Sequence, residues 1–495
     1  MSNYNQHHNI AYDYTPKEIF YPRDEVQVVQ FVKYFGHKKF TIRSGGHHHE
    51  AMCTAHNGFV IDMSKFSKEV KILSYNDCKK YFLQDSKISE EQYAAWLPSN
   101  LTNQEALNLP ALMVGDVLKK IIPVGSCSQV SLGGYLLGGG WNLLARKYGW
   151  ACDSIIAIEI ILADGSLEIL SEMHLPDLFQ AMKGSGGGNF GIVTRFLVQL
   201  YPAENIWSFA KGGIHLNDEK KNIKSWVNQQ LSNDDNTTAF ITISDNLLVN
   251  YGGYHVLDDN SSELEDIDYR KIVKENLEKK YFGHKFSVFQ ISHLKPSKTH
   301  ESFIQSFPEI NLTTSFNLFE KLNRYVDLRF PFEYNELLSA SELETVLYKC
   351  NESVAHKVTS AFLKDEFCTD AIEFINTIEN FLIKNKIDQT YNIITLHALG
   401  GKVNNEKNSI AYNNKILVQI QSWWIEKEDA SKCRSWVESF RKHLETFLEG
   451  AFINFQDANI DLENYYKDKY QNLQLIKRKY DINNVFNFPM SIQLK

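Results

Sequence analysis

The chain has 495 residues, 43% of them hydrophobic and 23% charged, long enough for about three domains, and this balance excludes disordered and collagen-like classes. The formal charge is −8 with no dense Lys/Arg block, which argues against a phosphate-tracking surface and hence against a nucleic-acid partner. No apolar run approaches the roughly 18 residues that would span a bilayer. The first eight residues have neither a basic nor an apolar region of the signal-peptide type. Seven scattered cysteines without a C-x-x-C pair read as a reduced chain, so a cytoplasmic protein is expected.

In chain order, Asp24 is placed to cap a helix carrying Val26, Val29, Val32 and Phe35 at near-helical spacing, with Gly36 to end it. A strand over 39–43, the turn Ser44-Gly45-Gly46 and a buried strand over 58–63 then complete a β-α-β opening. From Cys78 to Leu118 the sequence is polar and irregular, with helix-like character near Glu90 to Trp96. Residues 154–162 are β-branched and strand-like, Asp164-Gly165 is a hairpin signal, and 167–170 is the return strand. A short helix over 176–182 and a strand over 192–198 follow. After Tyr201-Pro202, aromatic strands (238–243 and 247–256) alternate with Lys/Glu-rich helices to about residue 440. An apolar strand near Ala451 and a helix over 462–478 close the chain.

Thirteen of the 26 glycines lie between Gly125 and Gly191, and such a concentration needs a cause. Gly186-Gly187-Gly188-Asn189-Phe190-Gly191 satisfies G-x-G-x-x-G, but a nicotinamide fingerprint must follow a strand and open a helix, and here the order is reversed. No Lys-Ser or Lys-Thr follows, so a P-loop is excluded. His47-His48-His49-Glu50 with Cys53 and His56 contains zinc-ligand types, yet it lacks the helical H-E-x-x-H form and reads better as a loop than as a metal site. The run from Gly125 to Gly140, with Cys127 inside it, can bring backbone N–H groups close to phosphates or lay a flat ring against the chain, or can simply mark tight turns.

Taken together, Arg43-Ser44-Gly45-Gly46-His47, the Gly125 to Gly140 run with Cys127, Arg146-Lys147-Tyr148-Gly149, Asp153, Ala163-Asp164-Gly165, Asp177-Leu178-Phe179 and Gly186 to Thr194 form an ordered series. Gly400-Gly401-Lys402, Asn454, Asp457 and Asn484-Val485-Phe486 continue it. The series resembles the berberine bridge enzyme-like flavoproteins of the vanillyl-alcohol oxidase type. The resemblance implies an α+β fold. A two-part FAD-binding domain of the PCMH type would span 1–200 and be rejoined by 441–495, and a substrate domain of antiparallel sheet covered by helices would span 201–440. It implies FAD attached twice, through His47 and through Cys127, an imidazole and a thiolate being the nucleophiles such bonds require. Arg43, Ser44, Gly45, Gly46, Gly133, Gly134, Gly138, Gly139, Gly140, Asp153, Gly188, Gly191 and Asn454 would complete the cofactor site.

The implied activity is oxidation of a sizeable organic substrate (an alcohol, a sugar or a secondary-metabolite intermediate) by hydride transfer, with dioxygen or another acceptor taking the electrons. Such chemistry needs a base. The resemblance places tyrosines in a Y-x-N-Y-x-D stretch, where this chain reads Phe452-Ile453-Asn454-Phe455-Gln456-Asp457. At the strand position where relatives carry a carboxylate it has Gln419, which takes up no proton at neutral pH. His397 stands where some relatives place a pocket carboxylate, and becomes the candidate base or substrate orienter. Ile155 falls near the position that governs dioxygen access. Two alternatives stay open: a degenerate flavoprotein that binds FAD without turnover, and a zinc hydrolase built on the His47 to His56 cluster.

Overall fold

The computed structural model describes residues 8–257, 272–278, 290–293 and 355–495, apart from the short stretches 75–77, 79–92, 110–112, 115–116, 119, 128, 204–205, 233 and 404–407. Cys350 and much of the Lys/Glu-rich stretch before it lie outside the described residues.

Asp24 accepts from Gln27 N–H at the start of the helix Glu25–Phe35, and the helix closes through Gly36 N–H to Val32 O. Its buried face, Val28, Phe31 and Val32, lies on a three-stranded parallel sheet. That sheet has an outer strand the sequence did not signal, Glu18–Phe20, paired with Phe59–Asp62, which in turn pairs with Phe40–Arg43. At three residues the strand is too short for periodicity to register.

A second sheet is built on Ile192–Pro202, flanked by Ile155–Ile161 with its hairpin partner Leu167–Ser171 on one side and by Tyr93–Pro98 on the other. The helix-like reading near Glu90 to Trp96 is therefore corrected over 93–96, residues 90–92 lying outside the described residues. Ala94, Ala95 and Leu97 are completely buried in a central strand, where pairing on both edges outweighs local propensity.

The third sheet is large and antiparallel. Its eight strands run, side by side, Gln290–His293, Ile206–His215, Leu248–Val256, Thr237–Ser244, Tyr391–Ala398, Ile416–Trp424, Ala355–Leu363 and Leu448–Glu449. Alternation divides it into two faces. Ile241, Ile243, Ile394, Leu396, Val418 and Ile420 pack against the helices Leu216–Gln229, Ile372–Lys384 and Ala430–His443. Phe240, Phe362 and Leu417 instead join the core of the first 200 residues with Trp141 and Leu143.

The C-terminal segment differs from its sequence reading. The short strand Leu448–Glu449 ends before Ala451 and none follows it, residues 453–455 making a 3-10 turn instead, and the expected single helix is two, Glu463–Tyr466 and Lys469–Tyr480, broken at Lys467 with φ +47°. The segment is anchored by Lys477, whose buried Nζ donates to Asn189 O, Phe486 O and Asp481 Oδ2, all within 2.7 Å. Asn189 Oδ1 also accepts from Ile492 N–H.

Two buried cations tie the sheet to the rest. Arg146 sends its guanidinium into backbone carbonyls, reaching Gln230 and Ser232 at 3.3 and 3.2 Å and also Leu399 and Asp234. Lys357 Nζ lies 2.5 Å from Glu50 Oε1 and 2.6 Å from Asp457 Oδ1. Because both carboxylates are as buried as the ammonium, Lys357→Met leaves them facing each other without compensation. It should cost about 3–5 kcal/mol of stability, read as a lower urea midpoint. Adding Glu50→Gln and Asp457→Asn should return most of that loss, since the uncompensated charge rather than the missing contact is what destabilises.

Candidate active site

The strand Phe40–Arg43 ends in the turn 44–46, and the following residues 47–50 run along the seam between the two halves of the molecule. The turn is held closely. Ser44 Oγ donates to Ser99 O (2.7 Å), and Arg43 Nε approaches Asp62 at 3.5 Å. A Cβ on Gly45 would lie 2.3 Å from Ser131 Oγ, and one on Gly133 would lie 2.9 Å from Ser44 Oγ, so this turn and the start of the helix Leu132–Leu137 are in direct contact.

The three adjacent imidazoles diverge, as they must in an extended loop. His48 Nδ1 accepts from Glu50 N–H (3.1 Å), so its proton is on Nε2 and is donated to Gln456 Oε1 (2.8 Å). His49 Nδ1 meets His356 Nε2 at 3.1 Å. His47 stacks on His8 with centroids 4.5 Å apart and 25° between planes, and its Nδ1 is buried without a hydrogen-bond partner. Burial lowers the basicity of all three, and for His47 and His49 the nearby imidazoles add to it, so both lie well below the ordinary histidine range. Among the described residues, no group of three or more His, Cys, Asp or Glu is arranged to hold a metal ion. The zinc reading of residues 47–56 therefore has no convergent donor set behind it.

Cys127 is exposed and in no disulfide, and its carbonyl accepts from Asn103 Nδ2 (2.9 Å). The glycines after it divide into two kinds. Gly134 is exposed with open space where a Cβ would be, and Gly187 stands opposite, its own Cβ position 3.7 Å from Gly134 Cα. Gly138, Gly139 and Gly140 are buried, and their missing Cβ atoms make room for Asn454, Ile410 and Ala151 respectively. Asn454 is spent on this run, accepting from Gly140 N–H (3.0 Å) and donating to Gly134 O (3.2 Å). Asp153 likewise serves its neighbours, accepting from Trp150 N–H (2.9 Å) and Asn408 Nδ2 (3.0 Å). Gly191 packs on Ile160, and the Cβ position of Gly188 lies 3.4 Å from Phe488. Ile155 is buried at the start of its strand.

On the large sheet, cross-strand register builds a row from Thr242, Thr395, Gln419 and Ser360, and beside it a row from Phe240, His397, Leu417 and Phe362. His397 is 6% exposed. Its Nε2 lies 3.1 Å from Gln419 Oε1, a pure acceptor, so Nε2 carries the proton and Nδ1 the lone pair. That Nδ1 is buried and unpartnered. Trp141 meets the ring edge-on at 4.4 Å and Phe455 leans on it at 5.7 Å. Burial lowers the His397 pKa to about 4, against a smaller upward pull from Gln419. Phe455 also contacts His49 at 6.0 Å, and Phe452 stacks on Trp150 at 5.0 Å, so both residues at the phenol positions serve as packing.

The sequence did not single out His8, Asn9, Lys357, His356 or Trp141, and it noted Glu50 only among zinc-ligand types and Gln456 only within the stretch 452–457. They are brought to the site by contacts spanning up to several hundred residues.

The residues present fit a flavin dinucleotide. A nucleophilic imidazole is held neutral with one nitrogen unpartnered, an exposed thiol lies on the neighbouring loop, and Gly134, with open space at its Cβ position, leaves its backbone uncovered beside Gly187. Comparisons agree. The family described as "Berberine and berberine like" matches residues 451–493. An uncharacterized FAD-linked oxidoreductase, YgaK of Bacillus subtilis, is 26% identical over 98% of this chain and 92% of its own length. A carbohydrate oxidase of Microdochium nivale is 22% identical over 92% and 83% of the two chains. The structure of a Physcomitrella patens BBE-like 1 variant superposes with a TM-score of 0.77 at 20% identity, covering 100% of this chain and 95% of that one. The fold and the site define an FAD-dependent oxidoreductase. Over nearly its whole length the chain is similar to FAD-linked oxidoreductases, and its C-terminal segment matches the berberine and berberine-like family.

The neutral histidines give stability a definite pH dependence. His8 and His397 titrate at about 4 in the folded state, and His47, His48 and His49 are lowered too. Unfolding frees imidazoles that bind protons below about pH 6.5, so the stability these groups contribute is full above that pH and is lost as pH falls toward 4. Asp245, raised to about 6 by burial, works in the opposite direction over part of the window. With several imidazoles against that carboxyl, the thermal midpoint should fall between pH 7 and pH 5. His397→Leu should reduce the size of that fall.

Proposed function

We propose that the protein oxidises an uncharged, hydroxyl-bearing organic substrate at a covalently held FAD, with His397 as the proton acceptor. The observation that carries this reading is the unpartnered Nδ1 of His397 on the sheet face turned toward the 1–200 domain. When bound, FAD would supply the two-electron chemistry by accepting a hydride from substrate carbon. His47 and Cys127 would hold it, with the turn 44–46 and the backbone at Gly134 and Gly187 as its walls.

The remaining roles belong to side chains. Gln419 holds the His397 Nε2–H, so that the Nδ1 lone pair is free for a substrate hydroxyl proton. Trp141, Phe240 and Phe455 shield the ring from water, and Thr242, Thr395, Gln419 and Ser360 offer neutral hydrogen-bonding groups beside it. No carboxylate stands in either row, so an uncharged partner is favoured over a cation. Dioxygen or another acceptor would take the electrons, and the six described free thiols support a reducing, cytoplasmic setting.

Acid-precipitated protein should give a yellow, fluorescent pellet whose mass exceeds that of the polypeptide by one FAD. Single His47→Ala and Cys127→Ala variants should each retain one linkage. A colourless pellet from FAD-replete protein would overturn covalent attachment. With a substrate found by screening alcohols and sugars against dioxygen and a dye acceptor, His397→Ala should slow flavin reduction by about 10²-fold or more while FAD content is kept. Because His397 titrates at about 4, the parent's reduction rate should show no histidine limb near pH 6.5. An undiminished rate in His397→Ala would remove it from the reaction. Failure of the parent to reduce with any substrate would favour the degenerate flavoprotein.

A further inference from the structure

The segment at residues 8 and 9 is fastened across the seam of the molecule. Asn9 is fully buried, donates from Nδ2 to His49 O (2.6 Å) and His356 O (2.8 Å), and accepts at Oδ1 from His356 N–H (3.1 Å) and Ala11 N–H (3.0 Å). Its side-chain amide thus joins the histidine loop to a strand of the large sheet. One residue earlier, His8 N–H donates to Gly46 O (3.1 Å), the carbonyl immediately before His47. With its backbone fixed at both ends in this way, the His8 ring lies flat on the His47 ring and is backed by His356, centroids 5.0 Å apart.

The His47 ring needs such a neighbour. Its Nδ1 makes no hydrogen bond, so no polar contact at that atom fixes rotation about its side-chain bonds. A stacked ring restricts that rotation without occupying either nitrogen. The stack also bears on charge. After burial, His8 is the largest influence holding His47 in its unprotonated form, and His8 itself titrates at about 4.

We infer that His8 is a positioning residue for flavin attachment, presenting the His47 imidazole at a fixed orientation through face-to-face stacking. This rests on the reading of His47 as the attachment residue. Attachment joins an imidazole nitrogen of His47 to the carbon of the flavin 8-methyl group. One proton leaves the ring and one hydrogen leaves the methyl group as a proton. The two electrons released pass through the cofactor to dioxygen or another two-electron acceptor. Orientation governs the rate of such a step, because a displaced nucleophile loses the near-attack geometry.

The test compares parent, His8→Ala, His8→Phe and His47→Ala, each in a Cys127→Ala background so that only the imidazole linkage is counted. Each protein is purified with FAD and assayed for total flavin and for flavin retained after acid precipitation, with intact mass as a second readout. His8→Ala should bind FAD but retain about tenfold less of it on the polypeptide within a fixed reconstitution time. His8→Phe, which keeps a flat ring without a titratable nitrogen, should restore most of the attachment. A retained fraction in His8→Ala equal to the parent's would overturn the inference, and so would a His8→Phe protein as deficient as His8→Ala while both bind FAD. If His8→Ala does not fold, His8→Phe decides alone: parental attachment supports stacking and lost attachment overturns it. A Cys127→Ala parent without linked flavin would instead defeat the reading of His47 itself, an outcome separate from either of these.

Discussion

The ammonium of Lys357 between Glu50 and Asp457 is the interaction on which the arrangement of this site depends. Its three members come from the histidine loop, the large antiparallel sheet and the C-terminal segment, and all three are deeply buried. Burial alone would depress the lysine's affinity for its proton, but the two carboxylates outweigh it and hold Lys357 above its ordinary range. A charge this far from water is stable only with its partners in place, so the three segments have essentially one relative placement. Tyr12 hydroxyl on Glu50 and Arg434 on Tyr12 extend the network to the outer helices.

Around this charged centre the chemistry is neutral. The imidazoles at positions 47, 48, 49 and 397 are all held unprotonated by burial, and their tautomers are set where a neighbour accepts or donates only one way, as Gln419 does for His397 and Glu50 N–H does for His48. Segregating charge into the Lys357 network leaves imidazole lone pairs available where a cofactor and a substrate would need them. Arg146 and Lys477 follow the same economy from the other side. Their cations are met largely by backbone carbonyls, so they pin loops and the chain terminus without placing additional carboxylates near the histidines.

Phe452 and Phe455 stand at the positions where the resemblance implies phenols, and both are packing residues. The first stacks on Trp150 and the second spans from His49 to His397, and neither offers a hydroxyl. In the proposed reaction the proton acceptor would be His397, the histidine that Phe455 covers. From sequence, the loss of the phenols and the candidacy of His397 were both legible, because each is a residue identity at a recognisable position. The His397–Gln419 contact was not. It depends on strands paired so that Thr395 faces Gln419 and His397 faces Leu417, a register written in no local motif.

The same division runs through the whole molecule. By itself the sequence determined the helix Glu25–Phe35 with its cap, the hairpin at Asp164-Gly165, the turn before His47, the glycine concentration and the resemblance to FAD-linked oxidoreductases, because caps, turns and backbone close to a ligand demand particular residues at short range. Only the tertiary structure decided that Tyr93–Pro98 is a strand, that side chains of Asn454, Ile410 and Ala151 fill the space a Cβ would need at Gly138 to Gly140, and that Asn454 and Asp153 bond to the backbone around them. It alone brought His8 and Asn9 to the histidine loop and closed Glu50 and Asp457 on Lys357. Those outcomes follow from burial and from pairing between segments far apart in sequence, and the cost of an unpaired charge or an unsatisfied polar group becomes apparent only once the chain has closed around it.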